Sequence, residues 1–332
     1  MKKINILFML ILILCLSEAS VSQVNLKKLG QNTMGFLEVP VSPKAAAMGN
    51  AYTAVSNDAV SVFYNPAGLA NIQSGFNAFI SYTKWIADIN YSAAAIAKSF
   101  GNMGTFALSA LIVDYGEIQG ARLLSQADPQ GYELTENVDV SSFAFGLGYG
   151  KQISDKFSIG GLIQIAGQKL GNSELVQGTV DNNVSTWILN FGIKYYPITD
   201  SDFRFAMAIR NFSQNIKYEE VSAQLPMSFM FGVAWDVMEL FSTGNRNHAF
   251  LLSTEFLHPN DYTERINLGG EYNLAGLIAI RGGYEFNRDV ASWSTGIGLT
   301  PSVGNKKLEV NYSYSNFDVF DGVNRFSLVV SF

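Results

Sequence analysis

"NRFSLVVSF", residues Asn324 to Phe332, alternates without a break. Phe326, Leu328, Val330 and Phe332 share one face, and Arg325, Ser327, Val329 and Ser331 share the other. In an extended chain successive side chains point to opposite sides, so this strand carries an aromatic and aliphatic face backed by a mainly polar one. The stretch before it reads the same way, with Leu308, Val310, Tyr312 and Tyr314 opposed by Lys307, Glu309, Asn311 and Ser313. Further back, Ile266, Leu268 and Tyr272 oppose Arg265, Asn267 and Glu271. A strand with lipid on one side and a polar lumen on the other has this pattern, which predicts an all-β, transmembrane antiparallel β-barrel.

Working outward from the C-terminus gives about fourteen such segments, an even number, as single-chain bacterial barrels require. The expected spans are 74–82, 90–100, 103–116, 138–151, 156–170, 183–196, 202–213, 225–237, 247–258, 264–273, 276–287, 292–300, 306–317 and 324–332. Five even-numbered segments end in short turns, "GN", "ISD", "PITDS", "LAG" and "PSVGN". Longer connections follow odd-numbered segments, notably 117–137 and 171–182. Short periplasmic turns alternating with longer outer loops is the asymmetry of a barrel. "VMELFSTGNR" is the exception, long on the periplasmic side and suited to a short helix.

The composition agrees. Charged residues are 15% of the chain, below the quarter or so usual in soluble domains, while aromatics reach 13% and glycines number 30. Beyond the leader described next, no run approaches the about 18 apolar residues of a membrane helix. Met1, Lys2 and Lys3 precede an apolar run, Ile4 to Leu16, and then small or polar residues to Ser22. This is the plan of a cleaved secretory signal peptide over 1–22, with cleavage after Ala19 or Ser22. The single cysteine, Cys15, lies inside that leader, and Leu14 before it is too large for a lipoprotein box. Removal of the leader takes thiol chemistry with it. Export and a net charge of −6 argue against nucleic acid as a partner. The expected location is the outer membrane, with its lipid as the surrounding solvent.

Residues 23–73 do not alternate. "SPKAAAMGNAYTA" suits a short helix beginning at Ser42 and Pro43, and "DAVSVFYNPAGLAN" (Asp58 to Asn71) is rich in caps and turns. Asn65 is a good N-cap with Pro66 at the first helical position, Asp58 caps the turn before it, and Ala67 and Gly68 are small enough to approach the barrel wall. The functional alternative is that the Asn65–Gly68 turn lines a transport gate or ligand end-point. A segment of this kind ahead of the strands of 74–332 is expected to fill the lumen as a hatch or plug, since a fourteen-stranded barrel is otherwise wide enough to leak.

The stretch "GFLEVPVSPKAAAMGNAYTAVSNDAVSVFYNPAGLANI" resembles the N-terminal signature of the PorV/PorQ family, outer-membrane proteins of the wider FadL-like barrel group. The pieces that carry the resemblance are "FLEVPVSPKAAAMG", which includes Met48 and Gly49, "AYTAVSNDA" and "FYNPAGLA". The resemblance implies a fourteen-stranded barrel whose N-terminal segment folds inward. It also implies a role in type IX protein secretion and surface attachment, through binding of secreted cargo proteins or other secretion components. The FadL branch implies instead a channel for hydrophobic small molecules. The C-terminal Phe326, Leu328, Val330 and Phe332 resemble the signal read by the barrel assembly machinery.

Arg204, Arg210, Arg265, Arg281, Lys307 and Arg325 share the expected interior with Glu271, Glu285 and Glu309. Mixed signs favour a salt-bridge network against the plug over an anion-selective constriction, which needs one dominant sign. Trp85 and Tyr82 suit an aromatic girdle or a protein-gripping surface. His248 and His258 are the only histidines. A lone histidine in a polar loop, even His258 beside Asn260 and Asp261, supplies neither a catalytic pairing nor a metal-ligand set. No enzymatic activity, metal or cofactor is therefore expected.

Overall fold

The structure, a computed structural model, describes residues 32–72, 75–123, 130–175, 178–218, 221–241, 247–304 and 306–332. The expected leader with Cys15, and residues 23–31, lie outside them. Fourteen long strands form one closed antiparallel ring. In chain order they are β1 (Phe76–Lys84), β2 (Asn90–Ser99), β3 (Thr105–Asp114), β4 (Val140–Ser154), β5 (Phe157–Leu175), β6 (Gly178–Tyr195) and β7 (Arg204–Phe212). The second half comprises β8 (Ser228–Asp236), β9 (His248–Pro259), β10 (Arg265–Leu274), β11 (Ile278–Phe286), β12 (Ala291–Leu299), β13 (Lys306–Phe317) and β14 (Phe320–Ser331). Each pairs with its chain neighbour, and β14 returns to β1 with Asn77 opposite Ser331 and Tyr82 opposite Phe326. The last residue completes the seam, Phe332 N–H donating to Phe76 O at 3.0 Å.

The strands form because alternation gives each a face for a different medium. Along β2, Ala93, Ala95 and Ala97 are buried, while Ile96 between them is 46% exposed. Ile80, Leu108, Ile112, Leu147, Ile280 and Ile297 are likewise exposed on the outer surface. A continuous apolar band of this kind far exceeds the few hundred Å² patch that monomers in water tolerate. Ring closure leaves no unpaired strand edge, the condition for crossing lipid. Aromatic pairs border the band. Phe76–Phe332 and Phe106–Tyr149, with centroids 5.2 and 4.9 Å apart, lie by the short turns, and Trp293–Tyr314, at 5.6 Å, lies toward the other rim.

Three connections depart from expectation. β5 and β6 run on through most of the expected 171–182 loop, pairing as far as Leu175 opposite Gly178. Leaving the bilayer does not end a hairpin, because its ladder hydrogen bonds persist in water and Thr179 and Val180 favour strand. The expected loop 117–137 holds its own antiparallel ladder, Gln119–Leu123 against Tyr132–Asn137. The connection between β13 and β14 is tighter than expected, since β14 begins at Phe320 rather than Asn324. The long turn after β8 carries a short 3-10 helix, Val237–Leu240, capped by Asp236.

Residues 32–72 lie against the inward side chains of the strands. At the longer-loop rim, Thr33 N–H donates to Gln224 O at 2.9 Å. At the short-turn rim, Thr105 Oγ1 donates to Ile72 O at 3.3 Å. Between them come 3-10 turns at Gly35–Glu38, Ala59–Phe63 and Pro66–Asn71, and one α-helix, α1 (Pro43–Ala47). Ser42 caps α1, its Oγ accepting from Ala45 N–H at 3.4 Å. Gly49 and Asn50, both at positive φ (56° and 59°), end the helical stretch after Met48. Tyr52, Val62, Leu69 and Met48 are wholly buried and join Phe79 and Ile188 of the wall in one core.

Candidate functional site

The Asn65 side chain makes three hydrogen bonds. Its Oδ1 accepts from Ala67 N–H at 3.0 Å, and its Nδ2 donates to Thr53 O and to Ile193 O, both at 3.1 Å. One side chain thus caps a turn, ties it to Thr53 earlier in the segment and ties both to β6. Asp58 caps the Ala59–Phe63 turn, its Oδ1 accepting from Val60 N–H at 2.9 Å. Both caps start 3-10 turns rather than α-helices. Close approach to the wall comes from glycines on the strands. A Cβ on Gly192 would collide with the Asn65 side chain, and one on Gly160 with the Pro66–Ala67 peptide. Gly68 differs from expectation, since a Cβ there would strike Ser56 and Ser61 of the internal segment itself. On the opposite side Gly49 sits on Gly283 of β11, with no room for a side chain between them.

The inward charges act chiefly on the main chain of residues 37–56. Arg204 Nε donates to Ala54 O at 2.7 Å, Arg210 Nη2 to Leu37 O at 3.1 Å and Arg325 Nε to Pro40 O at 2.9 Å. Lys194 Nζ donates to Ser56 O. Glu255 supplies the opposite polarity, its Oε2 accepting from Tyr52 N–H at 3.2 Å and Thr53 N–H at 2.8 Å. The internal segment is short of ladder partners, so its buried peptide groups need side-chain partners. Charged ones are the strongest, at about 1.5–3 kcal/mol each.

A second group makes ion pairs. Arg281 Nε meets Glu271 at 2.5 Å, Arg281 Nη2 meets Glu309 at 3.4 Å, and Lys44 of α1 lies 3.9 Å from both carboxylates. Glu285 accepts from Asn50 Nδ2 at 2.8 Å and pairs with Arg288 at 2.9 Å. Arg265 lies over the Tyr262 ring, 4.7 Å from its centroid. Lys307 is exposed at the start of β13, away from these groups.

Above this layer, toward the longer loops, lies a cavity of about 80 Å³. Leu37, Val39, Phe63 and Met230 give it apolar walls, and Arg210, Arg265, Arg288, Glu38, Glu255 and Glu285 give it charge of both signs. Arg288, Lys194, Glu255 and Lys44 were not singled out from sequence. Parity would have found two of them, because Lys194 shares a face with Asn190 and Gly192, and Glu255 with Ser253. Lys44 and Arg288 lie off the alternating strands, so no pattern marks them.

Trp85 is not in the girdle. It turns inward, with its ring 5.0 Å from Phe317 and 5.5 Å from the Arg325 guanidinium. Tyr82 is 48% exposed on the outer face. Phe326, Leu328, Val330 and Phe332 share that outer face. His258 lies 3.3 Å from Glu264, and His248 Nδ1 is 2.6 Å from Tyr272 Oη. Among the described residues no group of three metal-ligating side chains comes together.

No protein-family model matches the chain, and no curated protein does. Solved structures do match in fold. The Pseudomonas putida toluene transporter TodX superposes with a TM-score of 0.56 at 12% identity, over 87% of this chain and 96% of that one. The Ralstonia pickettii toluene transporter TbuX gives 0.50 at 13% identity over 87% and 96%. A Pseudomonas aeruginosa FadL homologue gives 0.50 at 14% over 89% and 98%. At these identities the likeness establishes the architecture, a fourteen-stranded transmembrane barrel.

Proposed function

We propose that this protein is a non-enzymatic outer-membrane channel for hydrophobic small molecules, with residues 32–72 as its hatch. The observation that carries this reading is the way the internal segment is held. Wall side chains grip its carbonyls and N–H groups, while a partly apolar cavity lies above it. These anchors are separate side-chain bonds and no part of the strand ladder, so a hatch held by them can shift without unfolding the barrel. Similarity of architecture to toluene transporters supports the same reading by analogy, since fold alone does not fix function.

A disulfide tests it. A Cβ built on Gly232 of β8 lies 3.3 Å from the Ala54 Cβ, near the spacing a disulfide needs. A mature Ala54→Cys/Gly232→Cys variant in liposomes should take up toluene when reduced and stop when oxidised. Equal uptake in both states removes the hatch from gating, and failure of the wild type to pass any apolar solute removes the channel itself.

A role in protein secretion rests on the sequence of residues 35–72 alone. Its test is mild crosslinking in cells. Recovery of exported proteins bearing a common C-terminal domain would favour that role over the channel.

A further inference from the structure

The cavity beneath the outer rim is chemically unlike a slot for a bare hydrocarbon. Four of its lining residues have a buried polar atom with no hydrogen-bond partner among the described residues: Arg210 Nε, Arg265 Nε, Asn50 Oδ1 and Asn267 Oδ1. Arg265 and Asn267 are only 5% and 2% exposed. These atoms have almost no accessible surface, so they sit within the cavity's lining rather than open onto it. Each costs about 1–3 kcal/mol while unpaired, and a small side-chain shift toward the cavity lets a bound group relieve that cost. Two of the atoms are N–H donors and two are amide oxygens, so the complement must both accept and donate.

The charge balance narrows the ligand further. Arg210, Arg265 and Arg288 are matched by Glu38, Glu255 and Glu285 around the same cavity. Arg288 is paired with Glu285, and Glu255 is committed to the hatch main chain. Without a dominant sign, an ion entering here would give up its hydration for no net attraction. A hydroxyl group fits all these conditions, since it donates one hydrogen bond, accepts others and carries no charge. A volume of about 80 Å³ takes such a polar end and the first part of an attached ring or chain, with Leu37 and Phe63 forming apolar wall beside it.

We propose that this cavity is a selectivity site for the hydroxylated end of an otherwise apolar, uncharged solute. The proposal rests on the channel reading and narrows its substrate class. It distinguishes this chain from a pore tuned to plain hydrocarbons or to carboxylates.

The test uses the full mature protein in lipid nanodiscs and three probes with one skeleton: 4-butylphenol, butylbenzene and 4-butylbenzoate. Equilibrium binding is measured against empty nanodiscs, and uptake in liposomes is measured in parallel. The phenol should bind about tenfold or more tightly than either analogue, the worth of a hydrogen bond or two. Asn267→Leu should bring the phenol down to the level of butylbenzene and leave butylbenzene unchanged. Asn50→Ala, on the hatch rather than the wall, gives the same reading if the first variant fails to assemble. Equal binding of all three probes, or tightest binding of the benzoate, overturns the site while leaving the channel standing. If none of the probes binds or crosses, the site and the channel reading fall together.

Discussion

A single asparagine shows how much of the internal segment depends on satisfying peptide groups. Asn65 caps one turn and bonds to two carbonyls, one from the hatch and one from β6. Its residue type was legible as a helix cap, because Asn before Pro suits an N-terminus. Its bond to Ile193 O was not, since nothing local brings β6 beside it. Asn65→Ala should loosen residues 59–71 by about 2–3 kcal/mol, the worth of the lost bonds and the groups left unpaired. Hydrogen exchange should then speed up by about thirtyfold or more across those amides, while the strand amides keep their protection. Uniform acceleration across the strands would show that Asn65 supports the barrel rather than the hatch alone.

At the scale of elements, residues 32–72 have little regular structure and lie against the inward side chains of a fully paired ring. Their one α-helix spans five residues, and the rest is short 3-10 stretches, other turns and bends. Wall side chains therefore take the place of a ladder. Glu255 receives two adjacent N–H groups, and Lys194, Arg204, Arg210 and Arg325 cover four carbonyls. Arg281, Glu271, Glu309 and Glu285 do make ion pairs, but with neighbours along the wall rather than across the lumen, Glu271 facing Arg281 on the adjacent strand and Arg288 following Glu285 by three residues. The other arginines turn to the main chain. Glu255→Ala strands the Tyr52 and Thr53 N–H groups at about 1–3 kcal/mol each. The variant should still migrate as a folded barrel on unheated gels, with the 50–57 stretch newly open to protease from the outer side. Unchanged protease resistance would mean that the other anchors suffice.

Across the whole molecule, the ring and residues 32–72 answer to different forces. The ring is held by a closed set of ladder bonds and by lipid against its outer face, neither of which requires residues 32–72. Deleting those residues should leave a β-rich, heat-modifiable barrel whose conductance in planar bilayers rises well above that of the intact chain. An unfolded product would show instead that the core of Tyr52, Leu69, Phe79 and Ile188 is needed to close the ring. The sequence by itself determined the number of strands, their direction, and which face of each meets lipid, because alternation is a local consequence of backbone geometry and period 2 leaves no ambiguity. It also marked the caps at Ser42, Asp58 and Asn65. Only the tertiary structure decided what the inward charges hold, that Trp85 turns inward, and that four residues with an unpaired polar atom line one cavity. Those facts depend on which strands lie opposite one another across the lumen, and no spacing along the chain records a distance through space.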